Sequence, residues 1–221
     1  RNTLIQYNYS HDNEGGFLLV CNAGHVKMPA NIGNIGTVIR YNISVNDGLR
    51  PQPTPQKGMF SPTFHISGPC RNTRIFNNLI YITKKPNPEI DRTLLEMDNW
   101  GDRWPENTAF WNNIFYTEEQ TSYDYGGATG TLFDGNLYFG VHRNRPEDLR
   151  GILSDPMFVG SERLVPGRDG LRRFGLTPGS PCIGKGRKVS ESGGLDFFGE
   201  SLPKDQGPSI GPIEHTPTRR Q

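Results

Sequence analysis

The sequence has little of what most folds and several function classes are built on. No apolar stretch approaches the ~20 residues that a membrane-spanning helix requires, and no secretory-type apolar segment follows Arg1. Cysteines number three, Cys21, Cys70 and Cys182. An odd count argues against a disulfide framework and for free, buried thiols, with Cys21 and Cys70 as candidate stacked neighbours. Neither sign of charge prevails: 24 Lys and Arg face 23 Asp and Glu, for a net charge of +1, without a basic block. Nucleic acid and membrane are therefore not expected partners. Hydrophobic residues make up 33% of the 221 positions, low for a round globule. No segment holds the i, i+3, i+4, i+7 rule for a dozen residues. Gly (27) and Pro (18) interrupt the chain too often for long helices.

What the sequence does have is one pattern, five times over. The stretches are Leu4 to Tyr9, Val38 to Ile43, Arg74 to Leu79, Ala109 to Ile114 and Leu132 to Leu137. One column is large and apolar: Ile5, Ile39, Ile75, Phe110, Phe133. Three places on stands asparagine: Asn8, Asn42, Asn78, Asn113, Asn136. The next column is apolar or aromatic again: Tyr9, Ile43, Leu79, Ile114, Leu137. The asparagines are 34, 36, 35 and 23 residues apart. Such spacing marks a repeat architecture in which each unit buries its apolar face against its neighbours. The content of Ile, Phe, Tyr and Trp favours strands over helix pairs. Stacked strands lie about 4.8 Å apart, close enough for asparagine amides to bond one another inside the coil. That predicts a strand, an asparagine turn and a second inward residue per coil. A second strand follows at Phe17–Cys21, Thr63–Ser67, Thr93–Asp98 and Gln120–Tyr125.

The expected organisation is coils over residues 1–140, a capping segment over 141–215 that covers the last coil, and a frayed tail at 216–221. Arg1 leads straight into a repeat strand with no cap before it, and an open coil end exposes apolar core. This predicts further coils, a cap and any export signal upstream of residue 1. The open end is then covered by that missing N-terminal part or by another chain.

Several motifs extend the comparison to a known family. They are Arg40-Tyr41-Asn42-Ile43-Ser44, Phe76-Asn77-Asn78-Leu79-Ile80-Tyr81 and Trp111-Asn112-Asn113-Ile114-Phe115-Tyr116. To these add Ser154-Asp155-Pro156-Met157-Phe158, Pro178-Gly179-Ser180-Pro181-Cys182-Ile183 and Asp196-Phe197-Phe198-Gly199. Together they resemble the C-terminal portion of secreted right-handed parallel β-helix proteins, the pectate-lyase-like superfamily. The resemblance implies an all-β fold, a right-handed parallel β-helix with a C-terminal cap. It also implies a secreted or extracellular protein acting on a polysaccharide, as a polysaccharide lyase or a glycoside hydrolase. Non-catalytic glycan-binding, adhesin-like and structural members share the fold, so the fold does not choose among these. Lyases of this kind use Arg, Lys or His as base, often with calcium; hydrolases use two or three carboxylates.

Candidate site residues follow from which side chains the strands turn outward. Alternation buries Phe64 with Ile66 and Leu95 with Met97, which turns His65, Glu96 and Asp98 out. His65 and Glu96 then lie on neighbouring coils as a base and its carboxylate partner. The groove is walled by the loops 49–62 and 99–107. His11, Asp12 and Glu14 form a second acid/base group expected to flank that groove, or else a solvated turn. Asp47 stands in a similar turn one coil later and extends an acidic patch. Trp100 and Trp104 offer indole faces to sugars, and Arg71 and Lys27 offer cations to acidic sugars. Asp98, Asn99 and Asp102 supply oxygen donors for a calcium ion without a recognised loop motif.

Overall fold

The computed structural model describes residues 1–23, 30–48, 50–83, 92–160 and 167–215. Its main strands form three parallel sheets that the chain visits in turn. The first sheet contains Leu4–Gln6, Val38–Arg40, Arg74–Phe76, Ala109–Trp111 and Leu132–Asp134. The second contains Tyr9–His11, Ile43–Val45, Leu79–Ile82, Ile114–Thr117, Leu137–Phe139 and Ile152–Leu153. The third contains Leu18–Cys21, Phe64–Ser67, Thr93–Asp98, Thr121–Asp124 and His142–Arg143. A short fourth ladder pairs Asn34–Ile35 with Cys70–Arg71 and continues by single bridges from Arg71 to Glu106 and on to Thr129. Strands pair in register from rung to rung, as in the row Ile5, Ile39, Ile75, Phe110, Phe133. The arrangement is compatible with a β-solenoid.

Each rung therefore holds three main strands. The asparagine motif spans the first two, and the strand expected to be second is the third. The break between the first and second strands comes from the residue before each asparagine. Tyr7, Tyr41, Asn77, Asn112 and Gly135 have φ of 58, 50, 52, 53 and 74°. Left-handed backbone ends a strand and turns the chain, and Asn and Gly adopt it at low cost.

The asparagines meet inside this corner. The Nδ2 of Asn8, Asn42, Asn78 and Asn113 each donates to the Oδ1 of the next asparagine along, at 2.9 Å in every case. The backbone N–H of each donates to the same acceptor at 2.9–3.1 Å. Asn42, Asn78, Asn113 and Asn136 are fully buried, while Asn8 is exposed. The row runs in one direction, so its last amide needs an acceptor, which the Asp148 carboxylate supplies. Asp148 takes hydrogen bonds from Asn136 Nδ2 at 2.9 Å and from the N–H groups of Gly135 and Asn136 at 2.7 and 3.0 Å.

Three differences from the sequence-based expectations concern the faces. The column after the asparagine does not point inward: Ile43, Leu79, Ile114 and Leu137 lie on the outer face of the second sheet. Ile80, Phe115 and Tyr138 fill the interior with the first-sheet row. The second-sheet strands are apolar at consecutive positions because they are covered on both sides. The C-terminal segment provides that cover. Leu171, Phe174, Leu176, Cys182, Phe197, Ile210 and Ile213 pack along the second sheet, so this part of the segment is a lateral strap, while its first residues pair with the last rung through His142–Arg143 and Ile152–Leu153. It also crosses the first sheet, where Val189 and Leu202 meet Tyr41 and Phe76. Asn77 Nδ2 donates to Ser209 O and Gly211 O at 3.0 and 2.9 Å, fixing the strap to the corner. At the last rung Leu132 and Val141 remain exposed. Finally, Cys21 and Cys70 are not stacked. Cys21 pairs in register with Ser67, whereas Cys70 belongs to the fourth ladder. The three thiols are free, and burial pushes those of Cys70 and Cys182 up to about 12.

The ladder gives a direct stability test. Replacing Asn78 by Ala removes an amide from the middle of the row and leaves its neighbours unpaired. It should cost on the order of 1–3 kcal/mol in denaturant unfolding. Asp148→Ala should lower the thermal midpoint by the same mechanism. A neutral outcome for both variants in urea melts contradicts the ladder as a source of stability.

Candidate functional site

The strap covers the second sheet and part of the first, and among the described residues its apolar side chains join no cluster on the third. The third sheet is where polar side chains point outward. Phe64, Ile66, Leu95, Met97 and Tyr123 face the core. Between them, in register across three strands, His65 pairs with Glu96 and Glu96 with Asp124. On the first-rung side the row continues to Leu19, which is 57% exposed. A bulge beside Leu94 offsets the pairing of the third and fourth strands, and it leaves Glu96 opposite Asp124. Two carboxylates thus stand on adjacent strands, about 4.8 Å apart at the backbone. Asp124 is the member that sequence reasoning missed. Its signal was the alternation in Thr121-Ser122-Tyr123-Asp124, buried at Thr121 and Tyr123 and open at Asp124.

His65 does lie beside Glu96 in the sheet, but its bonded carboxylate is Asp98, the diagonal neighbour. His65 Nε2 is 2.8 Å from Asp98 Oδ2. Ser67, opposite Asp98 in register, donates its hydroxyl to Asp98 Oδ1, and the Trp100 N–H reaches the same oxygen at 3.2 Å. A carboxylate only accepts, so the imidazole donates through Nε2 and the neutral ring keeps its lone pair on Nδ1. Phe60, from the loop at 50–62, meets the ring edge-on at 5.1 Å and limits its rotation. Burial by itself raises the Asp98 carboxyl. The hydrogen bonds from Ser67 and His65, and the amide of Trp100, outweigh it and hold the group below the usual carboxylate range. The loop 99–107 leaves this point with Trp100 51% exposed.

The other sequence-based candidates are dispersed. His11, Asp12 and Glu14 sit at the corner after the second sheet of the first rung. His11 Nδ1 is 3.0 Å from Asp12 Oδ2, both side chains are about half exposed (53% and 56%), and the imidazole stacks on Tyr9 at 4.7 Å. No bond joins this group to His65 or Asp98, whose first-rung neighbours are Leu19 and Cys21. Asp47 is corrected from an acidic surface group to a buried one, only 1% exposed. It accepts from Asn13 Nδ2 at 2.7 Å and Ser44 Oγ at 2.6 Å, so it ties two successive turns together out of a substrate's reach. Trp104 lies half-buried against Gly126 and Gly127, where a Cβ at Gly126 would come within 2.1 Å of the indole. Arg71 lies on the fourth ladder, and Lys27 lies outside the described residues. Both oxygens of Asp98 are already taken. Among the described residues no group of three or more His, Cys, Asp or Glu side chains is placed to hold a metal ion.

No protein-family model matches the chain. It is similar to a lacto-N-biosidase of Bifidobacterium longum subsp. longum, with 26% identity over 238 aligned positions. The similarity takes in 96% of this chain and 13% of that protein, so the chain spans about an eighth of the relative's length.

The Asp98 cluster predicts a titration. Because its folded pKa is depressed, the stabilisation from its hydrogen bonds is present at neutral pH and is lost as pH falls through that low midpoint. Carboxyl-detected NMR should place Asp98 below a free aspartate, and Ser67→Ala should move it upward. An unshifted Asp98 midpoint in both proteins contradicts the hydrogen-bond assignment.

Proposed function

We propose that this chain is a section of a right-handed parallel β-helix from a secreted protein, and that it cleaves glycosidic bonds hydrolytically on its third sheet. The observation that carries the reading is the in-register placement of Glu96 and Asp124 on adjacent strands of the third sheet. Glycoside hydrolysis needs two carboxylates, and a separation of about 5–5.5 Å suits one as nucleophile and the other as acid/base. One carboxylate attacks the anomeric carbon while the other protonates the departing oxygen; water then releases the sugar, activated by the same acid/base group. His65, oriented by Asp98, lies on the strand next to Glu96 and is placed to bind sugar hydroxyls. Leu19 and Trp100 offer exposed apolar surface at the margins for C–H faces of the glycan. The similarity to a lacto-N-biosidase supports a carbohydrate substrate.

Hydrolysis is favoured over β-elimination because the carboxylates on adjacent strands supply the two groups that glycoside hydrolysis needs. The domain limits follow the same reading: rungs over 1–140, and a segment 141–215 that first adds His142–Arg143 and Ile152–Leu153 to two of the sheets and then supports the rungs from the side.

Glu96→Gln and Asp124→Asn should each reduce turnover by about 10²–10⁴-fold while leaving circular dichroism and the melting temperature near those of the parent. With one group as nucleophile and the other as acid/base, the first-formed product should retain its anomeric configuration, as read by proton NMR during hydrolysis. Products bearing an unsaturated uronate would contradict hydrolysis. Glycan binding without cleavage by the parent protein would make this a binding module.

A further inference from the structure

Next to the third sheet, where the chain turns toward the fourth ladder, lies a cleft of about 420 Å³ lined by Arg71, Arg103, Trp104, Glu106, Gly127 and Thr129 among others. Its volume falls in the range of small-molecule sites, about 300–1,000 Å³. Both of its arginines are tethered to one neighbouring segment. Arg71 Nη2 donates to Ile32 O at 2.8 Å, and Arg103 Nη1 donates to Asn31 O at 3.3 Å. These are consecutive carbonyls of one segment. That segment is fixed by Asn31, whose Nδ2 donates to Asn22 Oδ1 and Ala23 O at 2.8 and 3.0 Å. Two like charges are thus placed together by neutral acceptors, and among the described residues neither arginine forms an ion pair. The Nε of Arg71 is buried and has no hydrogen-bond partner. Along one wall Trp104 is wedged against Gly126 and Gly127, which leaves no room for a Cβ at Gly126. Glu106 follows Arg71 on the ladder and is the acidic member of the lining.

We propose that this cleft is a subsite for an anionic sugar residue, one bearing a carboxylate or a sulfate ester. The paired guanidiniums take the anionic group, as planar donors matched to its oxygens, and the indole packs on the sugar ring. An anion there relieves the repulsion between Arg71 and Arg103, which an uncharged sugar does not. Glu106 sets the limit of charge the cleft accepts. The inference stands apart from the catalytic reading, since none of these residues belongs to the Glu96 and Asp124 pair, and its test reads binding alone.

The test is calorimetric titration of the intact protein with glucuronic acid, glucose 6-sulfate, glucose and sodium sulfate. At least one of the two anionic sugars should bind roughly tenfold or more tightly than glucose, and which one does so identifies the anionic group. The advantage should shrink as salt is raised. Arg71→Met and Arg103→Met should abolish it, Trp104→Ala should weaken binding of both anionic sugars, and Glu106→Gln should strengthen it. If the arginine variants do not fold, the salt series and Glu106→Gln decide. Affinity for glucose equal to that for both anionic sugars, sodium sulfate binding as tightly as either sugar, or a Glu106→Gln variant indifferent to charge would overturn the assignment.

Discussion

Each rung hands one buried amide to the next, and the rest of the structure depends on that transfer. A side chain with two donors and one acceptor oxygen, placed in a corner about 4.8 Å from its copy, satisfies itself only if every rung repeats the corner. The left-handed residue before each asparagine, the apolar row three places earlier and the start of the second strand are all set by this requirement. The direction of the row matters as much as its existence. Because every Nδ2 points toward the later rung, the final position needs a group that only accepts, and an aspartate stands there. A buried amide without such a partner costs about 1–3 kcal/mol. One carboxylate from outside the repeat therefore protects the whole row at its end.

The second constraint is coverage. A rung has three outward faces, and the chain is long enough to cover some of them. The strap lies over the second sheet and across the first, held by Asn77 and by Arg74, which pairs with Glu191 at 2.6 Å. Second-sheet strands beneath it such as Leu79–Ile82 are apolar on both sides. Those of the third sheet alternate, apolar within and polar without. The polar face is thus the one the strap's apolar residues leave alone, and it presents imidazole and carboxylates in ordered rows. The apolar cover and the outward polar rows are thus divided by sheet.

Much of this was legible in the residues. The column of asparagines announced the ladder, and the alternation Phe64, His65, Ile66 and Leu95, Glu96, Met97 announced which side chains would turn outward. Three things were not legible. The outward facing of Ile43, Leu79 and Ile114 depends on a strap more than fifty residues later in the chain, and no local pattern reveals a partner at that distance. The choice of Asp98 over Glu96 as the histidine's partner is a diagonal contact fixed by Ser67, and strand alternation does not rank neighbours. Asp124 was hidden by a bulge that sets its register with Glu96. Asp47 misled for the opposite reason. The two turns do stack, as their similarity suggested, but the Asp47 carboxylate is taken up by Asn13 and Ser44 inside the stack and presents no acidic patch.

On the proposed function, bond cleavage takes place between Glu96 and Asp124. A retaining glycosidase forms a covalent link between its nucleophile and the sugar, and a 2-deoxy-2-fluoro glycoside slows its hydrolysis enough to hold it. The decisive measurement is peptide mass spectrometry of the protein inactivated by the fluorinated form of the glycoside it cleaves. The account predicts a glycosyl adduct on Glu96 or Asp124. An adduct on Asp12 or Glu14, or full activity with neither carboxylate of the pair labelled, would contradict it.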